Sequence, residues 1–197
     1  NQTADVTIST VDGSTEVTLQ PGERHSQVMD SSYLAVNGTT DKAITVHSDT
    51  YLHVLLQYRT SSTSFYDTAQ IQHIDSAQGH YKYYLVSNPA TKSFGSFDQI
   101  YTLSTLSDAN IEIYRNGNLL TSFILQPGRL YNFVEVQTPD FDITGTVVQS
   151  DKPLSVVCGS IESNNPPLES RFSTFITDVS QPPSRYFVAP HLGNQEY

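Results

Sequence analysis

Cys158-Gly159-Ser160 is the first place in this chain where covalent chemistry could start, because a thiolate is the strongest nucleophile a side chain offers. A cysteine nucleophile needs a histidine base and an orienting partner. The signature that surrounds such a cysteine in the cysteine proteases is absent here. Two other roles stand open for Cys158: a small hydrophobe in a core, or half of a disulfide to a residue outside this chain. An internal disulfide is excluded, since the chain has 1 Cys. Histidines fall at 25, 47, 53, 73, 80 and 191, without the His-x-His or Glu-x-x-His spacing that gathers metal ligands. Asp140-Phe141-Asp142 and Asp108-Ala109-Asn110 are light oxygen clusters, but no Asp-x-Asp-x-Asp-Gly loop for calcium occurs. Gly-x-Ser-x-Gly elbows and phosphate-cradling glycine loops are also missing. No catalytic, metal or cofactor site is therefore expected.

The elements that would position such residues are strands. Apolar and polar residues alternate nearly throughout, and no segment keeps a 3.6-residue period over three turns. Strands are expected at 6–9, 16–20, 25–29, 43–47, 52–58, 69–74, 81–86, 100–105, 110–115, 121–126, 129–136, 145–149, 154–160, 173–179 and 186–190. Short strands separated by Asp, Asn, Gly, Ser and Pro predict an all-β sandwich or barrel rather than a βαβ fold.

The strands repeat. Ala4-Asp5-Val6-Thr7-Ile8-Ser9 answers Ala109-Asn110-Ile111-Glu112-Ile113-Tyr114, and Leu19-Gln20-Pro21-Gly22 answers Leu125-Gln126-Pro127-Gly128. Thr45-Val46-His47-Ser48-Asp49 answers Val147-Val148-Gln149-Ser150-Asp151, and Asp75 with Tyr83-Tyr84 answers Asp178 with Tyr186-Phe187. These blocks keep their order at separations of 102–106 positions, which predicts a tandem duplication of β-sandwich-like units of about 100 residues. The expected division is a first unit over 1–79, truncated at its start, a complete unit over 80–185, and the opening strand of a further unit over 186–197. In this alignment Cys158 falls opposite Leu56, which favours an apolar packing position.

The repeated polar residues read as turns. Pro21 and Pro127 set φ near −65°, and Gly22 and Gly128 supply the positive φ of a type II turn. Ser48-Asp49 and Ser150-Asp151 are expected to bond backbone N–H groups two residues on, and Pro153 opens the returning strand.

Formal net charge is −10 with no basic cluster, which argues against nucleic acid and against attraction to an anionic membrane. No apolar run approaches the ~18 residues of a membrane-spanning helix, so membrane insertion is not expected. Sequons at Asn1-Gln2-Thr3 and Asn37-Gly38-Thr39 suit glycosylation of Asn1 and Asn37 in a secreted protein. The 12 tyrosines divide between core positions and exposed faces able to stack on sugars or anchor proteins.

The run Gly145-Thr146-Val147-Val148-Gln149-Ser150-Asp151-Lys152-Pro153-Leu154-Ser155-Val156-Val157-Cys158-Gly159, after an Asn-Ile-Glu-Ile strand and Leu-Gln-Pro-Gly, resembles the N-terminal domain of the IgG Fc-binding protein family. The likeness covers nearly the whole chain, is best over 81–190, and is most specific at Ser150-Asp151-Lys152-Pro153; the first half departs from it with Ser48-Asp49-Thr50-Tyr51. The resemblance implies an extracellular, secreted, non-enzymatic module of a mucus, matrix or cell-adhesion protein, with cysteines that usually pair. Expected partners are a protein or glycan of matrix or mucus, and other copies through exposed sheet edges. The alternative is a carbohydrate-binding or glycan-active sandwich with an aromatic-lined groove.

Overall fold

The computed structural model describes residues 2–33, 37–59, 66–71, 81–85, 99–135, 143–165 and 169–175. They form an all-β protein whose strands are β1 (Ala4–Thr10), β2 (Gly13–Leu19), β3 (Gly38–Thr40), β4 (Thr45–Ser48), β5 (Val54–Arg59), β6 (Tyr66–Ile71) and β7 (Tyr81–Tyr84). The chain continues through β8 (Gln99–Thr105), β9 (Ala109–Arg115), β10 (Asn118–Leu125), β11 (Leu130–Glu135), β12 (Val147–Ser150), β13 (Leu154–Asn165) and β14 (Glu169–Phe175). A 3-10 turn at Ser31–Tyr33 is the one helical element among the described residues, and none of their helices is long and apolar enough to cross a membrane.

Two sheets enclose the core. A four-stranded sheet runs β10-β9-β12-β7, and a five-stranded sheet runs β14-β13-β8-β11-β3. All pairings are antiparallel. Alternation sends Ala109, Ile111 and Ile113 of β9, Val148 of β12 and Tyr83 of β7 to one side. There they meet Tyr101 and Leu103 of β8 and Leu154, Val156 and Cys158 of β13. Ile113, Leu103 and Val148 are 0% exposed, and burying each such side chain contributes about 1.5–3 kcal/mol. The Tyr101 and Phe133 rings stack at 4.8 Å along the edge of this core, and Phe123 and Tyr131 lie 4.4 Å apart. Burial holds the Tyr131 phenol above its ordinary pKa, an effect that a hydrogen bond with Tyr101 partly offsets.

A third, three-stranded sheet runs β2-β1-β4, and β5 pairs with β6. The three-stranded sheet has the same order as β10-β9-β12. Its register matches as well: Val6 faces Ser48 and Ile8 faces Val46, as Ile111 faces Ser150 and Ile113 faces Val148. Ala4 faces Leu19, as Ala109 faces Leu125.

The strands depart from expectation in several places. Residues 25–29 alternate in polarity but form no strand, and Val28 is 92% exposed. Their counterpart in sequence spacing, β11, is held by ladders to β8 and β3, whereas no described strand lies beside 25–29. Alternation without a ladder partner leaves backbone groups better satisfied by water. Gly38-Thr39-Thr40 was too short to stand out, yet it pairs with Leu130–Asn132 and forms the edge of the five-stranded sheet. The expected strand 173–179 begins earlier, at Glu169. The expected strand at 186–190 lies outside the described residues.

Candidate binding face

The turn residues sit where their chemistry requires. The Glu23 N–H donates to the Gln20 carbonyl at 2.9 Å, and the Arg129 N–H to the Gln126 carbonyl at 3.2 Å. Gly22 at φ +82° and Gly128 at φ +74° provide the left-handed residue that a type II turn needs after Pro21 and Pro127. Ser48 Oγ accepts the Thr50 N–H and Ser150 Oγ accepts the Lys152 N–H, each two residues on. The aspartates do something else. Asp49 Oδ1 accepts the N–H of Asp5 at 2.9 Å, and Asp151 Oδ1 accepts the N–H of Asn110 at 2.8 Å. Each carboxylate thus ties its turn to the start of the neighbouring strand, rather than closing a local Asx turn. Asp151 also accepts Asn110 Nδ2 at 2.7 Å. Burial pushes the Asp151 carboxyl up, but the two bonds from Asn110 and nearby Lys152 outweigh it and leave the group below its ordinary pKa. Pro153 stands directly before β13.

Cys158 is 1% exposed in the core, so a partner outside this chain reaches its sulfur only by displacing packed neighbours. Leu56, its counterpart in the alignment, is 45% exposed, so the matched pair does not share an environment. Asn37 is exposed just before β3, while Asn1 lies outside the described residues. Among the described residues no group of three His, Cys, Asp or Glu side chains could hold a metal ion. The Tyr81–Tyr84 strand splits as alternation demands. Tyr83 is buried, with its hydroxyl accepting the Leu154 N–H at 2.6 Å, and Tyr84 is exposed.

Tyr84 leads to a feature that linear reading missed. On the outward face of the four-stranded sheet, Tyr84 is the cross-strand partner of Val147, Val147 of Tyr114, and Tyr114 of Leu119. Four strands contribute one residue each, and the row is aromatic or aliphatic from end to end. Beside it lies a polar row, Lys82–Gln149–Glu112–Ser122, set by the same registers. Tyr114 Oη donates to Glu112 Oε2 at 2.8 Å, which joins the rows. That hydrogen bond, then desolvation and the carboxylate's charge, hold the Tyr114 phenol above its ordinary pKa.

A hairpin and a bulge aim the end of the row. Asn116 at φ +51° and Gly117 at φ +78° form the two-residue loop between β9 and β10, the left-handed pair of a type I′ turn. Past it the register jumps from Leu119 opposite Tyr114 to Thr121 opposite Ile113. Leu120 is the extra residue, and both leucines are about half exposed. Bulges of this kind re-aim side chains at sheet edges and beside functional sites. The signal was present in the sequence as Asn116-Gly117 and as the change of repeat spacing from 105 residues at Val6/Ile111 to 106 at Leu19/Leu125.

The corresponding face of β2-β1-β4 is polar. Ser9, Ser14 and Thr45 occupy the places of Tyr114, Leu119 and Val147, with the two serine hydroxyls 3.1 Å apart. At the end of that sheet, Tyr33 Oη donates to Asp12 at 2.5 Å, and Lys42 lies 4.7 Å over the Tyr33 ring and 3.8 Å from Asp12. These contacts are an exposed clamp on the 3-10 turn.

No protein-family model, no curated protein and no solved structure matches this chain.

Proposed function

We propose that this chain is a non-catalytic extracellular module of a larger secreted mucus- or matrix-type protein, and that it binds a protein or glycan through the Tyr84–Val147–Tyr114–Leu119 row. The observation that carries the reading is the contrast between two sheets of the same order and register. The positions that build turns and pairing are alike, and the outward row differs, hydroxyl-bearing on one sheet and aromatic-aliphatic on the other. Fold stability does not ask for exposed Tyr84, Leu119 and Leu120, whereas a contact surface does. The shared order and register also support reading the chain as tandem copies of one unit, a habit of extended adhesive proteins. The likeness to the IgG Fc-binding protein family at Ser150-Asp151-Lys152-Pro153 supports the extracellular setting, as does an exposed sequon at Asn37.

A second reading, carbohydrate binding, is favoured by one particular: two tyrosines in a flat row beside Glu112 and Lys82, where rings can take a sugar face and charged groups its hydroxyls. Glycoside hydrolysis would ask for two carboxylates flanking one bond, and on this face Glu112 bonds Tyr114 while Asp151 is tied to Asn110. A glycan array and a pulldown from mucosal secretions, each run with the wild-type chain and a Tyr84→Ser/Tyr114→Ser variant, test both. Array signal lost in the variant identifies a lectin, and a captured protein lost in the variant identifies a protein ligand. Equal capture by both chains in both assays overturns the assignment to this face, and hydrolysis of an arrayed glycan overturns the non-catalytic reading.

A further inference from the structure

Between β2 and the 3-10 turn, residues 24–30 belong to no helix or strand, and 24–28 are exposed throughout. Each end of this stretch is fastened. On one side the Glu23 N–H donates to the Gln20 carbonyl, and Glu23 Oε2 accepts the Gln20 N–H at 2.8 Å. On the other, Asp30 Oδ1 accepts the Ser32 N–H at 2.7 Å, and the Asp30 carbonyl accepts the Tyr33 N–H at 3.0 Å. Arg24 to Met29 lie between these anchors, and among the described residues none of them takes part in a hydrogen bond. At the matching repeat spacing, Val134 is held in β11 opposite Ile100. The same alternation is sealed in a ladder there and left unladdered here.

A serine protease reads its substrate as a short strand. Residues ahead of the scissile bond pair with an edge of the enzyme, and one side chain fills a specificity pocket. Folded chains resist because those backbone groups are already bonded and those side chains packed. His25-Ser26-Gln27-Val28-Met29 meets neither obstacle. Its amides have no bond to give up, none of its residues has a positive φ, and Val28 is 92% exposed. Val28 also fixes the position. A cut after Arg24 would need the Pro21-Gly22 turn to straighten, with Gly22 at φ +82°. A cut after Met29 would use a side chain that is only partly exposed and place the Asp30 carboxylate directly beyond the bond. With Val28 in the pocket, His25 to Val28 before the bond and Met29 after it all fall between the anchors.

We propose that the Val28–Met29 bond is a processing site for a serine protease of elastase type, whose pocket takes a small aliphatic side chain. The protease serine oxygen bonds to the Val28 carbonyl carbon, the Val28–Met29 C–N bond breaks, and the Met29 amine leaves with the serine's proton. Water then hydrolyses the ester, freeing the serine and leaving a carboxylate on Val28. The cut removes the covalent link between the β1-β2 hairpin and β4. What still holds the hairpin is the β1–β4 ladder from Val6 to Ser9 and the Asp49 carboxylate on the Asp5 N–H, since the single cysteine is free. Cleavage thus turns a fixed part of the fold into a bound, dissociable one. It leaves the Tyr84–Tyr114 row untouched and does not depend on what that row binds.

The full chain is incubated with a low proportion of pancreatic elastase, and new N-termini are sequenced over time. The first is expected to be Met29, with the two pieces co-eluting in native size exclusion and separating in urea. Val28→Asp puts a charge into an apolar pocket and is expected to slow this cut by about tenfold or more, whereas Val28→Ala, which the pocket accepts, keeps it. Because Val28 is exposed, neither substitution disturbs the fold, and unchanged circular dichroism checks this. A first new N-terminus at any other residue overturns the proposal, as does equal cleavage of the wild-type and Val28→Asp chains. Pieces that part without urea overturn the retention of the hairpin by β4.

Discussion

The β2-β1-β4 sheet and the β10-β9-β12 strands have the same order, the same register apart from the Leu120 bulge and the same Gln-Pro-Gly turns, yet among the described residues only the second roofs a large core. Ile113 is 0% exposed against β8 and β13, while Ile8, at the same place in the other sheet, is half-buried. On the N-terminal sheet burial is confined to Ala4 and Val6 at the start of β1, with Ala43 buried just ahead of β4 at the other end. Turns and pairing are decided within some forty residues of chain, by φ preferences and by the carboxylate ties from Asp49 and Asp151. A core is decided by what faces the sheet. Two stretches can therefore share a local blueprint and differ by most of their stabilising area.

The largest test of that contrast is truncation at the matched pair. Ile113→Ala is expected to cost about 2–5 kcal/mol, the range for emptying a packed core site. Ile8→Ala should cost about 1 kcal/mol or less, because a half-buried side chain loses less transfer energy and leaves no closed cavity. Urea unfolding of both variants reads the difference, and equal losses would show that the N-terminal sheet is as fully covered as the other.

What the sequence made legible follows the same division. Pro21-Gly22 and Pro127-Gly128 were readable because their φ demands are local. The alignment with Leu56 that favoured packing for Cys158 does not hold: Cys158 is buried because it lies on Val156's side of β13, and Leu56 is 45% exposed. Residues 25–29 show the limit of alternation, which gives a period but no ladder partner. The Asp151–Asn110 tie spans 41 residues and was invisible to any local rule. The Tyr84–Val147–Tyr114–Leu119 row needs three registers at once, and no single strand announces it. Only the Asn116-Gly117 turn and the extra leucine hinted that this hairpin departs from its counterpart.

The turns should behave alike where the cores do not. Gly22→Ala and Gly128→Ala each place a Cβ on left-handed backbone, with open space around it, so the cost is conformational, about 1–2 kcal/mol in both. Unfolding midpoints that fall together support a shared turn type; a loss confined to Gly128→Ala would mean that the N-terminal turn relaxes freely.

The Asp151 tie can be read through pH. The Asp151 carboxyl is lower in the folded chain than in the unfolded one, so its contribution is complete above the ordinary carboxylate pKa of about 3.9 and is lost as pH falls through the lowered value. Asp151→Ala, which removes both bonds from Asn110, is expected to cost about 1 kcal/mol at neutral pH and to make the acid limb of stability shallower. Denaturation between pH 2 and 7 reads this, and an acid limb identical to wild type would remove Asp151 from the account.

The smallest stability effect belongs to the face proposed to bind. Leu119 is 52% exposed at the bulged end of the aromatic row, so Leu119→Ser should shift stability by no more than about 0.5 kcal/mol. Ser14→Leu at the matching place on the N-terminal sheet should be equally mild, since that residue is exposed and its serine pair with Ser9 lies at the surface. Binding is where the two should part. Leu119→Ser removes an aliphatic end of the row and should weaken capture of whatever the Tyr84→Ser/Tyr114→Ser variant fails to hold, whereas Ser14→Leu should leave capture unchanged. Loss of capture on both substitutions, at unchanged stability, would move the contact surface onto both sheets and make the row of β7, β12, β9 and β10 only one part of it.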